Sequence, residues 1–468
     1  MSDVDFSRIP DDAARRWRVV RDVCAGDQAL RNDRYLPYLN AKDISEENVA
    51  RNVAYRQRAV FYNATGRTRA GLLGLAFRRD PRNQMPNKLG YLLGNVDGAG
   101  MSLYQQSQAT LANTIEVGRH GLYTDFDERL RRPVIKVYRA EDIINWRHID
   151  GRLTLVVLHE VAEEPDGFGF KAVSQFRELA LQDGRFVCRI HRKKDKEWDV
   201  REMRAALPNA NQQFDFLPFT FVGSRDNGPD IDEAPLYDLS QVNVAHFRNS
   251  ADYEDSVFFI GQAQPWISGL TEEWRDHLES NGNLYVGSRV PILLPEGGAF
   301  GFAQVAPNTL AREAMDQKEK QMVALGARLL DETRAAVTAT QNENDKETST
   351  SVLSMCVSNV SEAYERAIAW CGLYAGVAIP EDAETYRINQ EFAKNKIDPT
   401  AITALVQAWQ SGAFAKPDLR AYLRAEGVIA VERTDEDIDA DLELEGPALG
   451  TIGREDDDGD TARRDGQA

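Results

Sequence analysis

Two long helical patterns enclose a short, turn-rich stretch between residues 234 and 331, and this order constrains the fold more than any other feature of the chain. The first helix is predicted to begin near Pro235 and Asp238. The first turn of a helix tolerates a proline, and the positive end of the helix dipole favours a carboxylate there. Its apolar side chains recur close to helical spacing, at Leu236, Leu239, Val242 and Phe247. Gly261 and Pro265 are expected to end this helix.

The stretch after that helix, LYVGSRVPILLPEGGAFGFAQV, is predicted to form short strands, because β-branched and apolar residues alternate there with Gly and Pro. The return helix is expected to start after Pro307, with Asn308 as its N-cap, and to run through LAREAMDQKEKQMVALGARLL. At about 1.5 Å per residue, each helix would span roughly 30 Å. The alternative interpretation of this pattern is a helical hairpin buried in an ordinary domain.

A polar segment, RAAVTATQNENDKETSTS, follows the return helix and precedes another long helical pattern. Val337 is the only large apolar residue between Arg334 and Ser351, so this segment cannot pack a core of its own. Loops of this length without secondary structure are uncommon unless they are functional or disordered.

Composition limits the class of protein. A chain of 468 residues with 42% hydrophobic residues should hold two to four domains. It lacks an apolar run that could cross a bilayer, and MSDVDFSRIPDDAARRWRVV lacks the apolar core of a signal peptide, so we expect a location inside a cell or a particle. Four scattered cysteines without a CxxC pair predict neither a disulfide framework nor a zinc site, and we expect no cofactor.

The net charge of −18 is concentrated towards the C-terminal end. From Glu432 onwards there are fourteen Asp and Glu residues against four Arg, with few large apolar residues, which predicts a disordered tail. An acidic body argues against tight, sequence-specific nucleic-acid binding, which relies on Lys and Arg to displace counterions. It is compatible with DNA that slides past without sticking, because like charges repel the phosphates.

The rest of the chain mixes helices and strands. Residues 11–30 are predicted to form an amphipathic helix, and Ser102 to cap another after a Gly-rich loop. A third helix should begin at Ser45 and turn its apolar side chains inward, namely Val49, Val53, Val60 and Phe61. Several β-rich runs follow, with Asp183-Gly184 as a hairpin turn, so the middle of the chain is predicted to be a small, mainly antiparallel sheet.

The patterns associated with catalysis are incomplete. GNVDGAG differs from a Walker A loop because Gly100 is followed by Met101 and Ser102 rather than by Lys and a hydroxyl residue, which favours a turn before a capped helix. His159-Glu160 lacks the second histidine of a zincin and is interpreted as part of a strand. A basic cluster is predicted to be a solvated loop beside a hairpin end, with a capsid or DNA contact as the alternative; it comprises His191, Arg192, Lys193, Lys194 and Lys196.

Six segments in succession carry a family resemblance: GLLGLAF, NVDGAGMSL, GRHGLYTDF, AEDIINW, PFTFVGS and DLSQVNVAHFRNSADYE. Together they resemble the signatures of the portal, or head-to-tail connector, proteins of tailed double-stranded DNA bacteriophages. The similarity covers roughly residues 15–380. The segments are packing and turn signatures rather than catalytic ones, so their order carries the resemblance.

This resemblance implies an α+β portal fold with a wing, long stem helices, a small α/β clip and a short helical crown. The implied boundaries are a wing with a mainly antiparallel sheet over 1–230, a first stem helix over 234–260, a clip over 261–306, a second stem helix over 308–331, a tunnel loop over 332–348, a long wing helix with the following segment over 349–395, a crown over 396–430 and an acidic disordered tail over 431–468. The short C-terminal region departs from portals that carry a long helical barrel.

The function implied by the resemblance is a non-enzymatic ring, commonly of twelve subunits, at one capsid vertex of the virion, assembled in the host cytoplasm. Double-stranded DNA would pass through it non-specifically during packaging and ejection. Implied partners are the terminase large subunit, the head-tail adaptor, and the major capsid and scaffolding proteins, with no membrane. The side chains expected to face DNA are Arg334, Thr338, Thr340, Gln341, Asn342, Asn344 and Lys346. The expected docking surface on the clip comprises Trp266, Trp274, Arg275 and Arg289.

Two alternatives remain open at this point. Another virion structural or head-completion protein would lack a ring with a central bore. A phosphate-handling enzyme would need nucleotide binding and turnover, for which the sequence has no lysine at the required place.

Overall fold

The structure is a computed structural model. It describes residues 3–194, 197–203, 214–261, 264–281, 294–303, 309–330, 351–380, 383–390, 392, 407, 415–425 and 433–445. The chain divides into two compact units, Met1–Gln390 and Glu391–Ala468.

The helices of the first unit include α7, which was not predicted, among the helices that were. They are α1 (Asp11–Ala25), α2 (Asp27–Leu30), α3 (Glu46–Arg58), α4 (Ala64–Ala76), α5 (Leu103–Val117), α6 (Tyr237–Ile260), α7 (Glu272–Asn281), α8 (Leu310–Arg328) and α9 (Val352–Ala375). Ser102 caps α5 as predicted, and it exchanges side-chain hydrogen bonds with Gln105 in a capping box. The single helix predicted over residues 11–30 is divided at Gly26, whose φ of 97° breaks the helical path.

The strands form four antiparallel sheets. They are β1 (Arg82–Asn83), β2 (Arg119–Asp127), β3 (Arg132–Arg139), β4 (Ile143–Ile149), β5 (Arg152–Asp166), β6 (Gly169–Gln182), β7 (Arg185–Lys194), β8 (Glu197–Met203), β9 (Phe219–Gly223), β10 (Gln264–Ser268), β11 (Ala299–Ala303) and β12 (Tyr386–Arg387). The sheet orders are β3-β2-β9, β4-β5-β6-β7-β8, β1-β12 and β10-β11. The prediction of antiparallel pairing is confirmed, but the middle of the chain forms two sheets rather than one.

The turn between β6 and β7 sets the register of these two strands in the five-stranded sheet. Asp183 and Gly184 both have positive φ, at 51° and 74°, and they join β6 to β7 in a tight turn that pairs Gln182 with Arg185. This backbone conformation suits a two-residue hairpin because it matches the twist of the strands. The predicted hairpin is therefore confirmed.

The main core lies where α9 packs on the three-stranded sheet and where the two larger sheets meet. Tyr374 of α9 contacts Phe126 and Phe214, with ring centroids 5.9 Å and 4.8 Å apart. The buried members of this cluster come from both sheets and include Tyr123, Tyr138, Trp146, Val156, Leu158, Leu179, Phe186 and Phe219.

A buried ionic network links these two sheets, and the sequence analysis missed it. The guanidinium of Arg177 donates from Nε to Glu160 Oε1 at 2.7 Å, and its Nη1 lies 3.6 Å from Asp125 Oδ2. Glu160 also accepts from Tyr138 Oη at 2.5 Å and from Gln175 Nε2 at 2.6 Å. Burial alone would raise the pKa of Glu160, but the charge and hydrogen bonds of Arg177, Tyr138 and Gln175 hold that pKa below its ordinary value.

His120 of β2 is buried without a hydrogen-bond partner for either ring nitrogen within the described part of the chain. Burial, together with the charges of Arg21 and Arg139, lowers the pKa of His120 to about 3. Its ordinary pKa is 6.5, so the unfolded chain binds a proton there that the folded chain excludes. The contribution of the neutral His120 side chain to the unfolding free energy is therefore fully present above pH 6.5, and it is lost as the pH falls towards 3.

Replacing this histidine by an apolar residue should weaken the pH dependence. Between pH 7 and pH 5 we expect the unmodified protein to lose about 2 kcal/mol more unfolding free energy than the His120→Leu variant. Urea unfolding at both pH values measures the difference. Equal losses in the two proteins would show that His120 does not resist protonation in the fold.

Two predictions about surface residues are wrong. Val49 and Val53 are 37% and 43% exposed, because α3 turns Asn52 and Tyr55 inward instead. Val60, which is 57% exposed, lies beyond the end of α3 at Arg58, whereas Phe61 packs against the buried cluster as predicted. The basic segment from His191 to Lys194 lies in β7 rather than in a loop.

Cross-strand partners explain the second of these errors. His191 Nε2 lies 2.7 Å from Glu178 Oε2, and Arg192 bonds Gln175 and Glu164 at 2.8 Å each. These contacts between facing side chains hold the segment on the sheet. Lys196 lies outside the described residues.

The second unit contains α10 (Lys416–Ala425) and α11 (Asp435–Glu445). α11 contradicts the predicted disorder over its eleven residues. Thr434 accepts a hydrogen bond from the Asp437 backbone, the three acidic residues of the first turn suit the helix dipole, and Arg420 binds the carboxylate of Asp439. Most of the predicted crown and residues 446–468 lie outside the described residues.

Candidate functional site

The helical hairpin of α6 and α8 is the candidate functional element. Asn243 of α6 contacts Thr65, and Gly326 of α8 approaches Thr68, so both helices lie against α4. Further along, His246 of α6 faces Glu319 of α8. Positions rise along one helix as they fall along the other, so the two helices run antiparallel. The chain between them carries β10, α7 and β11.

The bounds of α6 differ slightly from the prediction. The helix begins at Tyr237, so Pro235 precedes the helix rather than occupying its first turn, and Gly261 ends it as predicted. α8 begins at Leu310, and the predicted N-cap Asn308 lies outside the described residues.

Two buried side chains of α6 attach this helix to α4 and to the segment that precedes α4. Asn243 Oδ1 accepts from the backbone N–H of Thr65 at 3.1 Å and from its hydroxyl at 3.0 Å, while the amide nitrogen of Asn243 donates to the Tyr62 carbonyl at 2.8 Å. Ser250 accepts from the backbone N–H of Val60 at 3.0 Å. Because these groups are buried, removing one would leave its partner unsatisfied, so they fix the rotation of α6.

The C-terminal half of α6 is attached to α3 by ion pairs. Asp255 lies 2.7 Å from Arg58 and 3.1 Å from Arg51, and the Arg58 guanidinium stacks on the Phe258 ring at 3.7 Å. Tyr55 donates to Asp252 at 2.7 Å. The α6 helix is therefore anchored along its length to α3 and α4, while α8 approaches α4 at Gly326.

His246 lies inside this hairpin with only 2% of its surface exposed. Its Nε2 is 3.4 Å from Glu319 Oε1, which is too long for a well-formed hydrogen bond. Burial lowers the pKa of His246, and the opposing attraction of Glu319 only partly compensates. The imidazole is therefore uncharged at neutral pH.

The tip of the hairpin is a two-stranded sheet with apolar side chains on both faces. Trp266 pairs with Gly301 in the register, and a Cβ added at Gly301 would lie 2.8 Å from the indole ring. Phe300 and Phe302 project from the opposite face, with ring centroids 5.1 Å apart. Trp266 and Phe302 are 43% and 52% exposed, so the tip presents aromatic surface to solvent.

The structure describes three of the four residues that were predicted to form the docking surface. Trp266 lies on the exposed tip, Trp274 is half-buried in the first turn of α7, and Arg275 is exposed with its Nη2 4.0 Å from Glu272. Arg289 lies outside the described residues. Sequence analysis missed Phe300 and Phe302, although the alternation in Ala299–Ala303 already places both rings on one face.

The ends of the polar loop meet at one point. The backbone N–H of Leu353, in the first turn of α9, donates to the carbonyl of Leu329 at 3.2 Å, and both side chains are buried. Ser351 caps α9 by accepting from Ser354 at 3.1 Å. The chain therefore leaves α8 and returns to α9 at the same place. The predicted DNA-facing residues Arg334, Thr338, Thr340, Gln341, Asn342, Asn344 and Lys346 lie outside the described residues.

The segment that precedes α6 is held in place by the buried guanidinium of Arg119. Arg119 lies between the rings of Trp146 and Phe221, at 4.3 Å and 4.2 Å, and its Nη1 donates to the carbonyls of Pro229 and Asp230 at 3.1 Å and 2.9 Å. Burial lowers the pKa of Arg119 to about 10, so it stays protonated at neutral pH. It fixes the segment that leads from β9 to α6.

The Gly-rich loop before α5 is a turn rather than a phosphate cradle. Asp97 Oδ1 accepts from the backbone N–H groups of Ala99, Gly100 and Met101 at 2.8 to 3.1 Å. The donors that would bind a phosphate are therefore already occupied by a carboxylate. The preferred interpretation of this segment is confirmed.

His159 lies in β5 as interpreted and contacts Ser174 Oγ at 2.9 Å. Within the described ranges, no group of three or more His, Cys, Asp or Glu side chains is arranged to hold a metal ion. Over those ranges, no helix has both the length and the apolar composition needed to span a membrane.

Comparisons with known proteins give one family match and several structural similarities. Residues 235–375, from the start of the hairpin to the end of α9, match a family model described as a domain of unknown function, DUF4055. A comparison with curated proteins returned no match.

Among solved structures, the chain is similar to a protein in the "Neck of empty GTA particle computed with C6 symmetry", at 14% identity over 82% of this chain and 90% of that one, with a TM-score of 0.40. A chain of the "Neck of native GTA particle computed with C12 symmetry" gives 13% identity, 77% and 89% coverage and a TM-score of 0.40. A chain of the "Virion of native gene transfer agent (GTA) particle" gives 14% identity, 79% and 92% coverage and a TM-score of 0.41.

Proposed function

We propose that the chain is a portal subunit, which assembles into a ring-shaped channel for double-stranded DNA at one vertex of a capsid. The observation that carries this proposal is the anchored hairpin of α6 and α8. It has an aromatic subdomain at one end and, at the other, a polar loop whose two ends meet at Leu329 and Leu353. The order of these elements is that of the stem, clip, stem and tunnel loop implied by the sequence resemblance.

Several side chains on the hairpin are left uncovered in a single chain. Val257 and Phe259 on α6 and Val323 on α8 are 47%, 63% and 74% exposed. Exposed apolar surface of this kind is typical of an interaction site. In a ring, each subunit would use one surface against a different surface of its neighbour, which closes the assembly by rotation.

The net negative charge of the chain favours a channel through which DNA passes over a site that binds DNA tightly. With a net charge of −18, a ring would repel phosphates from most of its surface and let the duplex slide. The polar loops would narrow the bore, and Arg334 and Lys346 would add attraction that the neighbouring acidic residues keep weak.

The tip of the hairpin is proposed to dock other components of the particle. Trp266, Trp274, Arg275 and Arg289 would contact the terminase large subunit during packaging and the head-tail adaptor afterwards. Aromatic and Arg side chains are the residue types that most often dominate such interfaces. In this proposal the motor ATPase is a separate protein, and the ring has no catalytic activity of its own.

Solution mass tests the assembly. The purified chain should form particles of about 630 kDa, twelve times the 52.5 kDa subunit, as the resemblance implies. Multi-angle light scattering over a range of protein and salt concentrations measures this mass. Monomers or dimers throughout that range would contradict the proposal.

A further inference from the structure

The segment that follows α4 carries positive charge in a chain that is acidic overall. We name residues 78–88 the basic strip. Asp80 is its only acidic residue. Most of its side chains are exposed, namely Arg78, Arg79, Asp80, Arg82, Asn83, Gln84, Asn87 and Lys88. The strip therefore presents cations and neutral amides to solvent.

Three cations of the basic strip have no counter-ion in the folded chain. Across the described ranges, no carboxylate lies within 4.0 Å of the side-chain nitrogens of Arg78, Arg82 and Lys88. The arginines of α3 differ in this respect, since Arg51 and Arg58 both pair with Asp255. The charge of the strip is therefore available to an external anion.

The backbone of the basic strip is held in place although these side chains are not. β1 lies within the strip and pairs with β12. The backbone N–H of Gln84 donates to the Thr385 carbonyl at 3.1 Å, and Lys88 lies in the first turn of a 3₁₀-helix, Asn87–Leu93. Because the backbone is already ordered, an anion that binds here has to immobilise side chains only.

The charges beside the basic strip nearly cancel one another. Arg387 of β12 pairs with Glu365 at 3.0 Å and lies 3.7 Å from Glu384. At the other end of the strip, Arg132 stacks on Tyr91 of the 3₁₀-helix at 4.4 Å. The Gly-rich loop and the β2–β3 turn together carry three carboxylates and three guanidinium groups, on Asp97, Asp127, Glu128, Arg129, Arg131 and Arg132. The excess positive charge of this surface is therefore that of the strip itself.

We propose that the basic strip binds the phosphate backbone of duplex DNA. Arg, Lys, Asn and Gln side chains commonly contact phosphate oxygens in protein–DNA complexes, and the strip exposes all four types. Such contacts carry no sequence information, so they suit DNA of any sequence. The inference rests on the proposed channel, which brings duplex DNA to the ring and so favours DNA over an acidic protein as the partner. It names a DNA contact outside residues 332–348.

The salt dependence of DNA binding tests this contact. One variant of the full chain would combine Arg78→Gln, Arg82→Gln and Lys88→Gln, and the anisotropy of a short labelled duplex of random sequence would report binding. Each phosphate contact contributes about −0.9 to the slope of log affinity against log salt, so the slope should become less negative by about 2.7. Between about 50 and 200 mM salt, these three contacts alone would weaken binding by the unmodified protein about 40-fold.

A matched control removes three cations elsewhere. Arg147→Gln, Lys171→Gln and Arg185→Gln change the net charge by the same amount, and all three residues are exposed and lie outside the strip. The slope of this control should equal that of the unmodified protein. Equal losses of slope in the two variants would overturn the proposal, because they would reflect net charge rather than contact with the strip.

Labelled polyglutamate is the second probe. It has the negative charge of an acidic protein segment but lacks phosphate groups. Binding of polyglutamate through the strip without binding of DNA would overturn the proposal in favour of an acidic protein partner.

The outcomes also separate the strip from the channel. Assembled rings whose affinity for DNA does not depend on the strip would overturn this contact and leave the channel standing. A chain that binds DNA through the strip but never assembles would keep the contact and overturn the ring.

Discussion

Replacing Arg177 by methionine should lower the free energy of unfolding by about 3–5 kcal/mol, the usual range for breaking a buried ion pair by removing one partner. Only 6% of the Arg177 side chain is exposed, and Glu160, whose side chain is 16% exposed, would lose this ion-pair partner and keep only the hydrogen bonds from Tyr138 and Gln175. Asp125, 3.6 Å from the guanidinium, would lose attraction as well. Because β2, β5 and β6 all meet at this network, urea unfolding of the first unit measures the loss.

Arg152→Met is the matched control for that experiment. Arg152 Nη2 lies 3.6 Å from Asp215 Oδ2, but the two side chains are 65% and 76% exposed, so the loss should stay below about 1 kcal/mol. Similar losses for Arg177→Met and Arg152→Met would show that the network does not hold the two sheets together.

Shortening residues 336–346 should preserve the assembled ring but remove most of the DNA-filled particles. The reason is that Leu329 and Leu353 already meet, so the fold does not depend on the length of the segment between them, which would line the bore in the proposed ring. Short polar side chains at a constriction would touch passing phosphates through water and weak hydrogen bonds. The measurements are ring formation by the purified variant and the yield of filled, infectious particles.

Deletion of residues 446–468 serves as the control for the shortened loop. That segment is acidic and poor in large apolar residues, so its loss should leave both ring formation and particle yield unchanged. A normal yield of filled particles from the shortened loop would make residues 336–346 a plain connector.

Features encoded by neighbouring residues were predictable from the sequence. The capping box of Ser102 and Gln105, the turn at Asp183-Gly184 and the end of α6 at Gly261 depend on local backbone preferences, and the structure places each where it was expected. The order of helix, small sheet and returning helix followed from the same signals.

Features that depend on distant partners were not predictable in this way. The helical spacing of Val49 and Val53 predicts an apolar face on α3, but the sequence of the helix does not show whether another part of the chain covers that face. Arg177 and its partners Glu160 and Asp125 lie on three different strands, so their burial required the folded sheets. The helix over Asp435–Glu445 was missed because composition alone does not register the capping Thr434 or the ion pair with Arg420.

Electron microscopy of the purified protein tests the central proposal most directly. Negatively stained particles should show closed rings with rotational symmetry and a stain-filled hole at the axis wide enough for duplex DNA. Particles without a central bore, or a protein that stays monomeric at every concentration imaged, would contradict the account of this chain as a DNA channel.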